Sequence, residues 1–304
     1  MTESHTSQPR AESMSARIWK RFRGHPGALV GLAVLSLLVV SVLFAGLSPY
    51  DPQTSDLTNR FQPPSWQHPM GTDALGRDLL TRILYGGRVS LTVGFSVVLI
   101  TLLIGVPVGA VAGYFGGWVD NILMRITDAA LALPSLLVLI LLSAMLRELD
   151  APLLEKYPVI TIALVIGLLS WMFTARLVRA TYLSIRELDY ILAARTLGVK
   201  DLRIITRHIL PNAIGPIIVE STLEVGYAIL EESGLSFLGF GIQPPTPSWG
   251  NLLSNAQEHM LKHPWMAIFP GLMIFLTVIS INYVGDGLRD AFDPYKILKK
   301  LGEV

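Results

Sequence analysis

The chain contains no cysteine, which excludes disulfide frameworks, thiolate zinc sites and cysteine nucleophiles. It is also poor in charge. Only 15% of its 304 residues are Asp, Glu, Lys or Arg, against roughly 25% in soluble proteins. The formal net charge is +1, which excludes a nucleic-acid binder working through bulk positive charge. Three catalytic signatures are missing too. There is no G-x-x-x-x-G-K-[ST] phosphate loop for ATP hydrolysis, no G-x-S-x-G nucleophile elbow and no H-E-x-x-H zinc helix. What the chain does have is apolar sequence, 51% of it, gathered in blocks longer than soluble cores use.

Four of these blocks carry no charge: Ala28–Leu47, Val89–Val111, Pro158–Ala175 and Pro264–Val284. About 20 apolar residues rising 1.5 Å each span a hydrocarbon core of roughly 30 Å. Two further blocks are interrupted, Ile126–Leu146 by Asp128 and Ile209–Leu230 by Glu220 and Glu224. Together they predict an all-α membrane protein with six transmembrane helices. The first block is longer than a signal-peptide core, and Phe44-Ala45-Gly46 fits a cleavage site poorly, so it reads as an uncleaved anchor.

Loop charge predicts the orientation. With the N-terminus in the cytoplasm, 16 Lys and Arg lie on that side and 7 on the other. Both termini are therefore expected to be cytoplasmic. Before the first span, Ile18 and Phe22 share a helical face with Trp19 beside them, among Arg17, Lys20, Arg21 and Arg23. This segment reads either as an amphipathic elbow helix in the headgroup layer or as a basic tail that only sets topology. The first dozen residues are polar and expected to be disordered.

The long cytoplasmic segment between the fourth and fifth spans has its own punctuation. Asp189 is a suitable N-cap for a short helix, and Gly198 can take the positive φ that ends it. Between them Ala193 and Ala194 are small enough for another protein surface to approach the backbone. Asp201 can cap the next helix, which runs toward Pro211. A short helix held at both ends across the membrane face suits transmission of a push from a soluble partner.

Charged residues inside the spans mark the other candidate sites. Glu220 and Glu224 lie four apart on one face of the fifth span, and intramembrane carboxylates are functional candidates by default. They read either as lining a translocation pathway or as hydrogen-bonding neighbouring helices. Glu231 and Glu232, near the outer end of the same span, read as gate or rim residues or as the same kind of structural anchor. Arg125 with Asp128, and Asp286 with Arg289, have the spacing of structural pairs within one helix. His259 and His263 sit four apart on the external side without convergent acidic or cysteine ligands beyond Glu258, which favours a solvated face over a metal site. Pro107 between Gly105 and Gly109 predicts a kink in the second span.

Several of these stretches also resemble a known family. Ala193-Ala194, Gly198 and Leu210-Pro211 match the "EAA" loop of permease subunits of bacterial ABC importers. Leu192 replaces the usual Glu, and His208 stands where an apolar residue is common. The run from His68 to Asp78 resembles the H-P-x-G-T-D-x-x-G-R-D signature of the dipeptide/oligopeptide branch, which also includes nickel-type permeases. Its physical content is turn residues followed by a helix start capped near Asp73. Stretches from Gly113 to Gly117, Gly234 to Gly250 and Gly285 to Pro294 extend the likeness over roughly residues 17 to 295.

The resemblance implies a type I ABC-importer permease fold of the second-subunit kind. On that expectation, residues 1–27 are a cytoplasmic tail with the elbow segment, and 28–85 are the first span and external loop. Residues 86–290 form the importer's five-helix transmembrane domain, with a coupling helix at 189–198, and 291–304 form a cytoplasmic tail. The coupling role falls on Asp189, Ala193, Ala194, Arg195, Gly198, Asp201 and Pro211. Implied partners are a second homologous permease subunit, two ATPase subunits that bind ATP and Mg, an extracytoplasmic substrate-binding protein and the bacterial inner membrane. No nucleic acid and no cofactor bound by this chain are expected. The implied cargo is a di- or oligopeptide, with nickel or another solute as the alternative. A proton-coupled carrier using Glu220 and Glu224 is the rival from another class, and it predicts inverted repeats and discontinuous helices that the sequence does not display.

Overall fold

A computed structural model describes residues 14–148 and 156–293. The expected disorder of the first dozen residues, and all of the C-terminal tail beyond residue 293, lie outside the described residues. The helices run in the order α1 (Met14–Phe22), α2 (Pro26–Leu43), α3 (Leu79–Phe115), α4 (Gly117–Leu131), α5 (Ser135–Glu148) and α6 (Pro158–Ile185). They continue with α7 (Asp189–Thr196), α8 (Asp201–Phe237), α9 (Trp249–Ala256) and α10 (Trp265–Phe292). Among the described residues no strand forms, and a lone bridge joins Thr72 to Asp78.

Five helices are long and apolar enough to cross a membrane: α2 with its 3₁₀ end to Leu47, α3, α6, α8 and α10. The chain departs from the continuous helix expected over Ile126–Leu146. That stretch is instead divided between α4 and α5, which meet at an angle of 83° and pass as a sixth span only when taken together. Pro134 is the cause. Its ring pushes Leu133 out of the α region, and it offers no N–H to continue the ladder. The arms have 15 and 14 residues, so each is about 22 Å long, short of a roughly 30 Å core.

The core is built on the pairing of α3 with α6. A Cβ added to Gly105 would lie 2.7 Å from the Trp171 carbonyl oxygen, and one added to Gly109 would collide with that of Ala175. The two backbones therefore touch, as in small-xxx-small helix pairs. The helix runs unbroken through Pro107, and the glycines beside it serve this close approach.

At one end of the bundle, α1 docks onto α10. Phe22 is buried with Ala28, Val284 and Ala291, while Trp19 stays exposed and stacks on Phe22 at 5.9 Å. Arg21 donates to the Asp293 carbonyl.

The opposite end carries α9 and an ion-paired knot formed by the loop between α2 and α3. Asp78, rather than Asp73, caps α3: its carboxylate accepts from the Thr81 N–H at 2.8 Å and meets His68 Nδ1 at 3.0 Å. Asp73 accepts from the N–H groups of Leu75 and Arg77, pairs with the Arg77 side chain at 2.7 Å and approaches the fully buried Arg82 at 3.5 Å. Nearer the rim, the N–H groups of Gln53 and Thr54 hold the Asp51 carboxyl below the usual aspartate range. The Thr58 hydroxyl and the Asn59 amide do the same for Asp56. His259 and His263 are half-buried beside the exposed Glu258, Leu261 and Lys262. Their rings pack on Phe61, with centroids 4.9 and 4.3 Å away.

Candidate functional site

The segment from Asp189 to Pro211 forms a short helix set against the α1 end of the bundle. Asp189 is not its N-cap. Leu188 takes that position without a side-chain bond, and Asp189 sits in the first turn, where its charge opposes the positive helix end. Asp201 is likewise one residue inside the next helix. The C-terminal reading of Gly198 holds, with φ at +73°. The Gly198 N–H donates to the Arg195 carbonyl at 2.9 Å, and the Val199 N–H to that of Ala194 at 3.1 Å. These two bonds make a Schellman stop, and they require the left-handed residue that glycine supplies.

One face of α7 is fastened to the bundle. Ile191 is fully buried among Tyr114, Tyr182, Ile204 and Ile209, and Ala194 is buried beside it. Ala193 points away and is exposed, so only one alanine of the pair is free for a partner. The outer surface of the segment sets large apolar side chains among the exposed Asp189, Arg195 and Thr196, since Leu188, Tyr190, Leu192 and Leu197 are all exposed, Leu197 to 82%.

Three side chains tie this segment to the spanning helices. The Tyr114 hydroxyl, at the end of α3, donates to the Asp201 carboxylate at 2.5 Å. Arg195 lies over the Tyr114 ring, 4.8 Å from its centroid, and Asn212 donates to the Tyr190 hydroxyl at 3.2 Å. Pro211 matters through what it cannot do. Lacking an N–H, it leaves the α ladder short, and the preceding turn Ile204–Ile209 is π-helical, with the Leu210 N–H reaching back to Ile205. The Tyr182 hydroxyl adds a second bond to that Ile205 carbonyl, at 3.2 Å.

Tyr114, Tyr190 and Asn212 did not stand out in the sequence. Charges left over at the span ends were the available signal for two further links. Asp120 on α4 pairs bidentately with Arg179 on α6, and Asp128 pairs with Arg176. Arg125 is exposed, and the expected Arg125–Asp128 pair does not form. Among the described residues Asp286 and Arg289 form no ion pair with each other either, and both are exposed.

The four glutamates of α8 separate into different surroundings. Glu232 is fully buried, and its carboxylate accepts from the hydroxyls of Ser90 at 3.0 Å and Ser236 at 2.6 Å. Ser90 in turn accepts from the Trp249 N–H, and Ser236 from the Ile242 N–H. Glu232 therefore stitches α3, α8 and α9 together, which places it in the packing and not on an open surface. Glu224 is 7% exposed and within bonding reach of Ser170 on α6. Glu220 and Glu231 are half-buried on the same stripe of the helix. Among the described residues no group of three or more metal-ligating side chains converges.

Residues 105–297 match the profile of the binding-protein-dependent transport system inner membrane component family. The chain belongs to this family. Residues 13–64 of the permease additionally match the N-terminal transmembrane domain of oligopeptide transport permease C. The dipeptide transport system permease protein DppC of Alkalihalophilus pseudofirmus is 42% identical to it over 97% of this chain and 96% of its own. The oligopeptide transport system permease protein OppC of Bacillus subtilis is 41% identical over 92% and 90%. The glutathione transport system permease protein GsiD of Pectobacterium atrosepticum is 41% identical over 91% and 89%. The fold is that of a type I ABC-importer permease. A chain of the inward-facing MetNI methionine ABC transporter superposes with a TM-score of 0.55 at 18% identity, over 69% of this chain and 96% of that one. The protein is thus a multi-pass permease subunit of an ABC importer.

Proposed function

We propose that this permease carries di- or oligopeptides across the bacterial inner membrane, and that α7 is where ATP-driven motion enters it. On this reading both termini face the cytoplasm, in line with the excess of basic residues on that side. A second homologous permease subunit completes one pathway, and an extracytoplasmic binding protein delivers the ligand to the α9 end. Two separate ATPase subunits bind ATP and Mg and dock below, one of them on the 189–198 segment. Their closure pushes α7, which rocks the spans and alternates access to the pathway. Glu220, with the more buried Glu224 beside it, would face a positive peptide amino end, and Glu231 would extend that stripe toward the rim. Cargo as peptide rests on the names of the relatives above, and nickel or another small solute is the alternative within the same architecture.

The observation that carries the coupling role is the set of large apolar side chains exposed on and beside α7, a helix fastened to the bundle. Leu188, Leu192 and Leu197 are exposed, while Ile191, the Schellman stop and Tyr114 prevent the helix from yielding. The absence of native cysteine makes the test direct. With Leu197→Cys in the assembled complex, a bifunctional thiol reagent should capture an ATPase subunit carrying a surface cysteine, and capture should change with nucleotide. No capture from position 197 or from Leu192→Cys would remove α7 from the interface.

A further inference from the structure

α4 crosses its neighbour α6 instead of running beside it. It begins directly after α3, where Arg186 donates to the Gly113 and Tyr114 carbonyls and the Tyr114 hydroxyl holds Asp201, so it lies at the α7 end of the bundle. Two ion pairs fix its direction. Asp120 and Asp128 stand about 12 Å apart along α4, yet their partners Arg179 and Arg176 stand only about 4.5 Å apart along α6. Helices running side by side would show similar spacings. The 83° turn into α5 agrees, since α5 packs along α6 through Leu139, Leu142 and Leu146, against Ile162, Val165 and Ile166.

The side chains of α4 fall into three sectors. Thr127 is buried toward the bundle, with Leu123, Met124 and Leu131 half-buried beside it. Trp118, Ile122 and Ile126 stand one turn apart on a second sector and are exposed, Trp118 to 74%. Asn121, Arg125 and Asp128 form the third and are exposed as well. Arg176 takes Asp128, and among the described residues no carboxylate pairs with Arg125. An apolar stripe beside a polar one, carrying Trp and Arg, is the pattern of a helix lying in a membrane surface. The stripe is also unlike this chain's tight helix contacts, which use small residues such as Gly105 and Gly109.

We propose that α4 is an interfacial helix lying in the leaflet on the α7 side, and that Arg125 binds the head group of an acidic phospholipid. Trp118, Ile122 and Ile126 sit in the acyl layer, and Asn121 faces water. A helix lying about 5–10 Å deep leaves roughly 20–25 Å of the hydrocarbon core to cross. The 14 residues of α5 rise about 21 Å and make that crossing. Through its two ion pairs α4 sets the height of α6 in the bilayer, and α6 leads directly into α7.

The test uses the assembled complex in nanodiscs of phosphatidylcholine and phosphatidylglycerol. Because the chain has no cysteine, Trp118→Cys, Asn121→Cys, Ile122→Cys and Ile126→Cys can each carry a single nitroxide. Depth is read from collisions with oxygen and with a water-soluble nickel chelate. Positions 118, 122 and 126 should be in lipid at one common depth, and 121 in water. A depth that changes by about 12 Å from 118 to 126 would mean an upright helix, and shielding from both reagents would mean a protein cover. Either overturns the proposal. For the head group, bimane on Ile122→Cys is quenched with brominated lipids. Brominated phosphatidylglycerol should be preferred over brominated phosphatidylcholine about fivefold, with the preference lost in Arg125→Gln and kept in Arg125→Lys. Equal quenching by the two lipids, or a preference that Arg125→Gln leaves unchanged, overturns the assignment of Arg125. Neither measurement uses ATP, a binding protein or cargo, so this result and the importer reading fail independently.

Discussion

Tyr114→Phe isolates the link between α3 and the coupling segment. The substitution removes one hydroxyl and leaves the ring, which is 4% exposed and packed against Ile191 and Tyr182. The lost bond is to the Asp201 carboxylate at 2.5 Å, and a hydrogen bond to a charged group contributes about 1.5–3 kcal/mol. Asp201 is exposed and can take water in exchange, so the lower end applies, about 1.5 kcal/mol, or roughly tenfold in an equilibrium. The Arg195–ring contact at 4.8 Å survives. Tyr114→Ala removes that contact and the core packing as well, a loss of about 3–5 kcal/mol by analogy with other aromatic truncations. The assay is ATP hydrolysed per substrate imported by the reconstituted complex. If α7 drives α3 through this bond, Tyr114→Phe raises that ratio severalfold, up to about tenfold, with the protein still inserted. A lowered thermal midpoint with an unchanged ratio would refute the reasoning and reduce the clamp to a structural tie.

Other predictions follow from the same geometry. Gly198→Ala meets no atom within 4 Å, so its cost is backbone strain alone, about 1–2 kcal/mol, and coupling should weaken modestly. Gly198→Pro cannot adopt a φ of +73° or donate to Arg195, and should uncouple hydrolysis from transport; normal coupling in that variant counts against the docking role. Replacing Glu220 and Glu224 together by Gln should selectively slow uptake of peptides with a free amino end, and equal uptake across substrates of different charge would remove them from the pathway. Trp249→Phe loses the indole bond to the Ile83 carbonyl at 3.0 Å and should cost about 1–2 kcal/mol, read as a lower midpoint for thermal unfolding. For the outer loop, Asp51 and Asp56 titrate below 3.8 when folded. Their contribution is therefore present above that value and lost as pH falls through the lowered folded pKa. Amide exchange over residues 51–59 should accelerate only below about pH 4.

The spanning helices were legible because uncharged runs of that length have few other uses. Five of the six blocks coincide with spanning helices, Pro264 alone lying one residue outside its helix. The break at Pro134 is invisible to hydropathy, which does not register a proline among leucines, although the steric rule that breaks the helix there is local. The cap assignments slipped by one or more residues. Asp189, Asp201 and Asp73 each have a neighbour that suits the N-cap backbone as well, and which one takes it is set by packing. Pairs at i, i+3 misled for a different reason. Asp128 had a partner on its own helix and another on α6, and sequence spacing sees only the first. The same blindness hid Glu232, whose serine partners come from Ser90 and Ser236, 142 and 4 residues away. Gly198 was readable because a positive φ at a helix end is a local demand that glycine alone meets without strain.

The central claim is that this permease moves its cargo by ATP-driven alternating access, with the motor on separate subunits. The most direct measurement is uptake of a labelled peptide by proteoliposomes holding the complete complex and its binding protein, with ATP and the proton gradient varied independently. The account predicts uptake that needs ATP inside the cytoplasm-equivalent compartment and persists when the gradient is collapsed. Uptake that continues without ATP and stops when the proton gradient is removed would contradict it.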